Sequence, residues 1–236
     1  MKTVICGVQN MTTIRRLSAE DLLHFNSVNL DQLTETFNLG FYFNYLARWP
    51  DYQYVVTDSQ STTVAYIIGK AEGAGDLFHG HVSAVTVAPW FRRMGLASLL
   101  MEILENVSEK VYQGYFVDLF VRVSNHRAIE MYKKLGYIVY RRIIGYYSGE
   151  EDAFDMRKSL SKDPERKAMI PLDRPVYPSE KRLSWFQIAE DEEDFNLIWP
   201  VFLSFPTALN DFNWINGSPS SFYFPVQDSN QRKVFS

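Results

Sequence analysis

Two rhythms of hydrophobic residues run along this chain. From Arg93 to Val107 the residues Leu96, Leu99, Leu100, Ile103, Leu104 and Val107 return every three or four positions, which is one face of an α-helix. Three shorter helices are predicted beside it. Ser18 followed by Asp21 reads as a capping box that opens a helix through Phe25. Phe41–Trp49 is an aromatic helix stopped by Pro50, and Asn125–Leu135 is a helix closed by Gly136. Alternating or short apolar runs bounded by turn residues predict strands at Thr13–Arg16 (an edge strand), Tyr52–Thr57, Val64–Lys70, His81–Val87, Tyr115–Val121, Tyr137–Ile144 and Ala153–Arg157. Asn29–Gly40 reads as loop. Strands interleaved with helices predict an α/β or α+β domain with a mixed sheet between helices.

Composition narrows the field modestly. The 236 residues allow one domain with appendages, and 46% hydrophobic with 22% charged residues is ordinary for a globular chain. A net charge of −4 leaves no overall basic footprint, so no direct nucleic-acid binding is expected. Cys6 is the single cysteine, which excludes a disulfide within the chain. No apolar run approaches the roughly 18 residues of a membrane span, and Met1–Asn10 lacks the h-region and cleavage site of a signal peptide. No membrane contact and a cytoplasmic location are the expectations.

The chemistry concentrates after the fourth predicted strand. Val85-Thr86-Val87-Ala88-Pro89 leads into Arg92-Arg93-Met94-Gly95-Leu96-Ala97, read as the first turn of the long helix. Unpaired amides at a helix start, with the helix dipole behind them, form an anion site. Gly95 clears space where a pyrophosphate approaches, Ala97 keeps the next position small, and Arg92 and Arg93 add donors. On spacing alone, a solvated arginine pair beside a packing glycine explains the same residues equally well. Further on, Asn125 can cap its helix, and Ala128 and Tyr132 share one face of it.

Arg92, Gly95 and Ala97 stand at the fixed positions of [QR]-x-x-G-x-[GA], and Asn125 to Tyr137 matches N-x-x-A-x-x-x-Y-x-x-x-G-[FY]. In that order and spacing, the two motifs resemble the acetyl-CoA signature of the GNAT acetyltransferases. The longer strings Asn29–Phe37, Tyr45–Pro50, Gly69–Gly73, His79–Val82, Phe116–Arg122 and Asp155–Lys158 resemble the catalytic subunits of NatB-type N-terminal acetyltransferases, and the likeness covers nearly all of Met11–Arg182. It implies a GNAT domain at 11–160, acetyl-CoA as co-substrate and no metal. It also implies a large helical-repeat auxiliary subunit, the ribosome, and nascent polypeptide N-termini beginning Met-Asp, Met-Glu, Met-Asn or Met-Gln.

The same likeness assigns residues. Backbone groups at Val85 and Val87, the turn Arg92–Ala97 (Arg93, Met94 and Leu96 included), Asn125 and Tyr132 would hold acetyl-CoA. Tyr132 is the candidate acid for the departing thiolate. His81 is the candidate base or substrate ligand, with His79, on the same strand face, as its competitor. Glu35, Phe37, His81, Ser83, Tyr146 and Tyr147 would bind the peptide, and the tyrosine pair would narrow the groove against lysine side chains. An α-amine titrates at about 7.7–8.0, so its direct attack on the thioester needs only modest base assistance and no acyl-enzyme. A lysine or small-amine acetyltransferase, or a CoA-binding scaffold without turnover, is the alternative.

The ends depart from the family. Residues 1–10 precede its usual start, and 161–182 reads as a polar, proline-containing arm. Residues 183–236 hold about a dozen aromatics without steady periodicity. This tail reads either as a gene-model artefact without an evolved fold, the favoured expectation, or as a partner-binding segment.

Overall fold

A computed structural model describes residues 3–7, 10–25, 28–29 and 34–178; the expectation for the tail at 183–236 lies outside the described residues. Among the described residues, eight strands form one sheet: β1 (Thr3–Gly7), β2 (Asn10–Arg16), β3 (Tyr54–Thr57), β4 (Thr63–Glu72), β5 (His79–Val87), β6 (Phe116–Arg122), β7 (Ile138–Tyr147) and β8 (Glu151–Ser159). Their order is β1-β2-β3-β4-β5-β6-β8-β7. Every neighbouring pair is antiparallel except β5 and β6, which are parallel. The α-helices among the described residues are three: α1 (Leu39–Arg48), α2 (Leu96–Lys110) and α3 (His126–Lys134).

The long amphipathic run becomes α2, whose buried Leu96, Leu100, Met101, Leu104 and Val107 pack on Ile67, Val82, Val117, Leu119 and Met156. Each fully buried leucine there contributes about 2 kcal/mol through area removed from water. Gly80 lets α2 lie close to β5, since a Cβ there would meet Ser108 Oγ at 2.0 Å. On the opposite face, Leu17, Leu22, Phe25 and Tyr42 cover Val55, Tyr66 and Ile68. Covered on both faces, β4 is buried from Thr63 through Gly69, so it reads as a continuous apolar run instead of an alternation.

Several expectations change. The strand at Thr13–Arg16 is not an edge, because β1 from the leader pairs along it from Thr3↔Ile14 to Gly7↔Asn10. The capping box at Ser18 and Asp21 is present but opens only a 3-10 turn, Ala19–Leu23. The long helix begins at Leu96, not Arg93: Arg93 (φ 66°) and Gly95 (φ 81°) hold left-handed backbone that no α-helix continues through. The arm returns to the sheet, where Ile144 N–H donates to Val176 O at 2.9 Å and Val176 N–H to Arg142 O at 2.9 Å.

Candidate active site

The site begins where β5 and β6 part. They pair only at Gly80↔Val117, His81↔Asp118 and Val82↔Leu119, although β5 runs on to Val87 and β6 to Arg122. Just past the last pair, the register with β4 passes from Gly69↔Val82 to Ile68↔Ala84, leaving Ser83 as an extra, bulged residue. A bulge bends its strand and re-aims side chains. The β6-facing backbone edge of β5 from Val85 to Val87 is therefore available to an extended ligand in place of a neighbouring strand.

Beyond that edge, Arg92 Nε donates to Val87 O at 3.0 Å and folds the turn back on the strand end. Gly95 then caps α2 in left-handed backbone, and a Cβ added there would meet nothing within 4 Å. This concave, amide-lined start of a fifteen-residue helix fits a phosphate-bearing ligand. Asn125 caps α3, its side-chain oxygen accepting from Ala128 N–H at 3.2 Å. One turn on, Tyr132 is buried edge-on to Tyr137. Burial alone lifts its phenol above the usual range, and no hydrogen bond to a described residue engages the hydroxyl, so Tyr132 holds its proton at neutral pH.

On the α1 side of the sheet lies a buried polar cluster. Lys70 and Glu72 of β4, His79 and His81 of β5 and Asp118 of β6 occupy one face, as their registers Lys70↔His81, Glu72↔His79 and His81↔Asp118 require. Asp118, 1% exposed, accepts from His81 Nδ1 at 2.7 Å and lies 3.4 Å from His79 Nε2. Burial opposes its charge, but the two histidines hold it well below the usual carboxylate range. Glu72 is likewise held low against burial by His79, His81 and Lys70, with which it forms an ion pair. Donor atoms of Glu72, His81 and Asp118 lie within 4.8 Å of one another, a spacing that also suits a metal ion. The Lys70 ammonium and His79 already balance the two carboxylates, so an ion-pair network is the simpler description.

Around His81 the walls are aromatic. Phe37 stacks on Phe41 at 4.0 Å, Phe41 lies tilted against Tyr45 at 4.2 Å, and Ser83 Oγ donates to the Tyr45 hydroxyl at 3.0 Å. Opposite them, Phe120 lies 5.3 Å from His81 and 5.0 Å from Tyr146, and Tyr147 stands edge-on to Tyr146. Glu35 closes the gap between the walls by pairing with Arg122 at 2.6 Å, and Arg122 lies over the Tyr147 ring at 4.0 Å.

The structure thus brings together Glu35, Phe37, His81, Ser83, Tyr146 and Tyr147, and separately sets Val85 and Val87 at the end of β5, Arg92, Arg93, Met94 and Gly95 in the turn, and Leu96 and Ala97 at the start of α2. The two histidines differ in position. His79 is fully buried, with Nδ1 2.6 Å from Leu77 O and its ring stacked on Phe116, whereas His81 retains 8% exposure. Sequence reasoning gave no role to Asp118, Glu72, Lys70, Tyr45, Phe120 or Arg122. The one local signal was the i, i+2 spacing of Lys70 and Glu72 at the end of a predicted strand; only the sheet register aligns them and Asp118 with His79 and His81.

Comparison with known proteins agrees with this geometry. Residues 21–137 match the model of the Acetyltransferase (GNAT) family. The chain is 61% identical over 170 residues to the N-terminal acetyltransferase B complex catalytic subunit NAA20 of Arabidopsis thaliana, covering 72% of this chain and 98% of that protein. It superposes on Chaetomium thermophilum Naa20 in complex with a bisubstrate analogue with a TM-score of 0.67 at 41% identity, covering 70% of this chain and 97% of that one. It also superposes on a chain of the NatB acetyltransferase complex bound to CoA and MES with a TM-score of 0.58 at 44% identity, covering 62% and 98%. No described helix is long and apolar enough to cross a membrane. A parted sheet beside a glycine-capped helix and a histidine–carboxylate groove, carried by a chain this similar along its relatives' whole length, place it in the family of N-terminal acetyltransferase B complex catalytic subunits, acetyl-CoA-dependent enzymes of the GNAT fold.

Proposed function

We propose that this chain acetylates the α-amine of nascent polypeptides beginning Met-Asp, Met-Glu, Met-Asn or Met-Gln, in the cytoplasm, at the ribosome and together with a helical-repeat auxiliary subunit. The observation that carries the reading is His81, fixed on Asp118 at the floor of a groove walled by Phe37, Phe41 and Tyr45 on one side and by Tyr146 and Tyr147 on the other. Aromatic walls suit the methionine side chain. Ser83 and Tyr147 flank His81 where a carboxylate or amide at the second residue would lie. The Glu35–Arg122 pair closes the groove across its mouth and favours a chain end over a lysine within a continuous chain.

In this reading the thioester lies along the open edge of β5, its carbonyl met by backbone N–H near Val87 and its phosphates by the Arg92–Ala97 turn. His81 takes one proton from the attacking amine, and Tyr132 gives one to the departing sulfur. The protonated state of Tyr132 and the absence of any cysteine from these walls support direct transfer. The test is an acetylation panel with the full chain co-purified with its auxiliary subunit. Its peptides begin Met-Asp, Met-Asn, Met-Leu and Ser, beside an N-blocked peptide with an internal lysine. Transfer confined to Met-Asp and Met-Asn is expected; transfer mainly to lysine overturns the substrate assignment.

A further inference from the structure

The mechanism above uses one nitrogen of His81 and leaves the buried groups behind it without a task. Resting on the reading of His81 as the base, we infer that Asp118 and His79 are a buried positioning pair that fixes which nitrogen of His81 meets the substrate amine. Asp118 lies directly across the parallel register from His81 and contacts its Nδ1 at 2.7 Å. An ionised carboxylate only accepts hydrogen bonds. Nδ1 therefore carries the hydrogen, and Nε2 is left with the lone pair that takes the substrate's proton. When that proton arrives, it stays on the imidazole; Asp118 remains a carboxylate and stabilises the new cation.

A carboxylate 1% exposed stays ionised only beside compensating charge, and His79 is placed to supply it. Its ring lies flat on Phe116, with centroids 4.4 Å apart and planes 5° from parallel. Nδ1 lies 2.6 Å from Leu77 O, which only accepts, so Nδ1 carries a hydrogen. Nε2 then faces Asp118 Oδ1 at 3.4 Å and Glu72 Oε1 at 3.7 Å, two acceptors that favour a second hydrogen there. Burial opposes this charge, but Asp118 and Glu72 outweigh it and lift His79 to about 9. The other charged and titratable groups facing the pair are Lys70 and Glu72 from β4, Tyr45 from α1, Tyr146 from β7, and Arg157 from β8, whose guanidinium covers the Phe116 ring at 4.8 Å. Within the cluster Lys70 and His79 offset Glu72 and Asp118, and the proton taken by His81 adds one positive charge to it.

Two opposite shifts test this assignment. Removing the Asp118 charge makes protonation of His81 harder, whereas removing the His79 charge makes it easier. The acidic limb of the kcat–pH profile should move to lower pH in Asp118→Asn and to higher pH in His79→Gln, each by about one unit. A merely structural pair would lower activity without opposite displacements. The assay uses the full chain with its auxiliary subunit, saturating acetyl-CoA and a Met-Asp peptide, with acetyl-CoA binding and thermal melting as controls on folding. His81→Gln should lower kcat about 100-fold, and Asp118→Asn by nearly as much, with little change in peptide KM. The double variant Asp118→Asn/His81→Gln should be no worse than His81→Gln alone, because a positioning residue has nothing left to position. Multiplying losses, or limbs that stay in place, overturn the positioning pair while leaving the base standing. An unchanged kcat in His81→Gln overturns the base itself. Should Asp118→Asn fail to fold, the limb of His79→Gln alone decides.

Discussion

At the end of β5 the proposed acetyl-CoA cradle is made of backbone: a strand edge that β6 leaves, a turn tied by Arg92 to Val87 O, and a helix start capped by Gly95. A few residues away, the amine groove is made of side chains from β4, β5, β6, β7, α1 and the loop before it. The two halves do different work. Phosphates and a pantetheine amide are the same in every turnover, so fixed amides serve them, and the residues that shape the turn are adjacent in sequence. A peptide end must be admitted, read and deprotonated. That calls for walls, donors and a base, which only the sheet topology brings together.

Tyr132 is buried edge-on to Tyr137, and it lies near enough to Tyr147 to add slightly to the upward shift that burial gives that phenol. It gives the largest expected effect. Tyr132→Phe keeps the ring and removes only the proton offered to sulfur. We expect kcat to fall about 100-fold, with acetyl-CoA affinity and peptide KM nearly unchanged. Because burial holds the phenol above its usual range, the wild-type profile should show no alkaline loss from this group near neutral pH. Wild-type turnover in Tyr132→Phe would remove it from the chemistry and return the thiolate's proton to solvent.

The same division explains what the sequence made legible. The proposed cradle shows in the sequence as Arg92, Gly95, Ala97, Asn125 and Tyr132, because motif and local geometry coincide there. Even there the helix start was placed three residues early: apolar periodicity is blind to φ, and Arg93 and Gly95 break the helix without changing its hydrophobic pattern. The groove was partly legible through His81, Ser83, Glu35 and the tyrosine pair. Asp118 escaped because an acidic residue inside a predicted strand says nothing until its register against β5 is known. Strand β1 escaped because the sequence between it and β2, Val8-Gln9, carries no strong hairpin signal.

A smaller effect separates backbone from side chain within the cradle. Gly95 has room for a Cβ but a φ of 81°, so any loss in Gly95→Ala comes from left-handed strain of about 1–2 kcal/mol and not from a clash. We expect acetyl-CoA affinity to weaken about tenfold by calorimetry, corresponding to roughly 1.4 kcal/mol, while peptide KM holds. Gly95→Asn should lose less, since asparagine tolerates this conformation better. Equal losses in the two variants would point to the side chain, and the backbone account would fail.

The smallest expected change is at the mouth of the groove. Glu35 is exposed, so its pair with Arg122 is worth at most about 1 kcal/mol in solution. Glu35→Gln should raise the KM for Met-Asp peptides by about 2–5-fold, leave kcat alone, and remove part of the wild-type salt dependence. Arg122 has a second task, because its guanidinium lies on the Tyr147 ring while also holding Glu151 at 2.9 Å. Arg122→Ala therefore loosens the aromatic wall as well as the closure, and it should admit some transfer to the internal lysine of an N-blocked peptide, which Glu35→Gln should not. Lysine transfer in both variants would place the discrimination in the ion pair; transfer in neither would leave it with Tyr146 and Tyr147. Either result locates the residues that would make this groove a reader of chain ends, a task the backbone of the neighbouring proposed cradle is not built for.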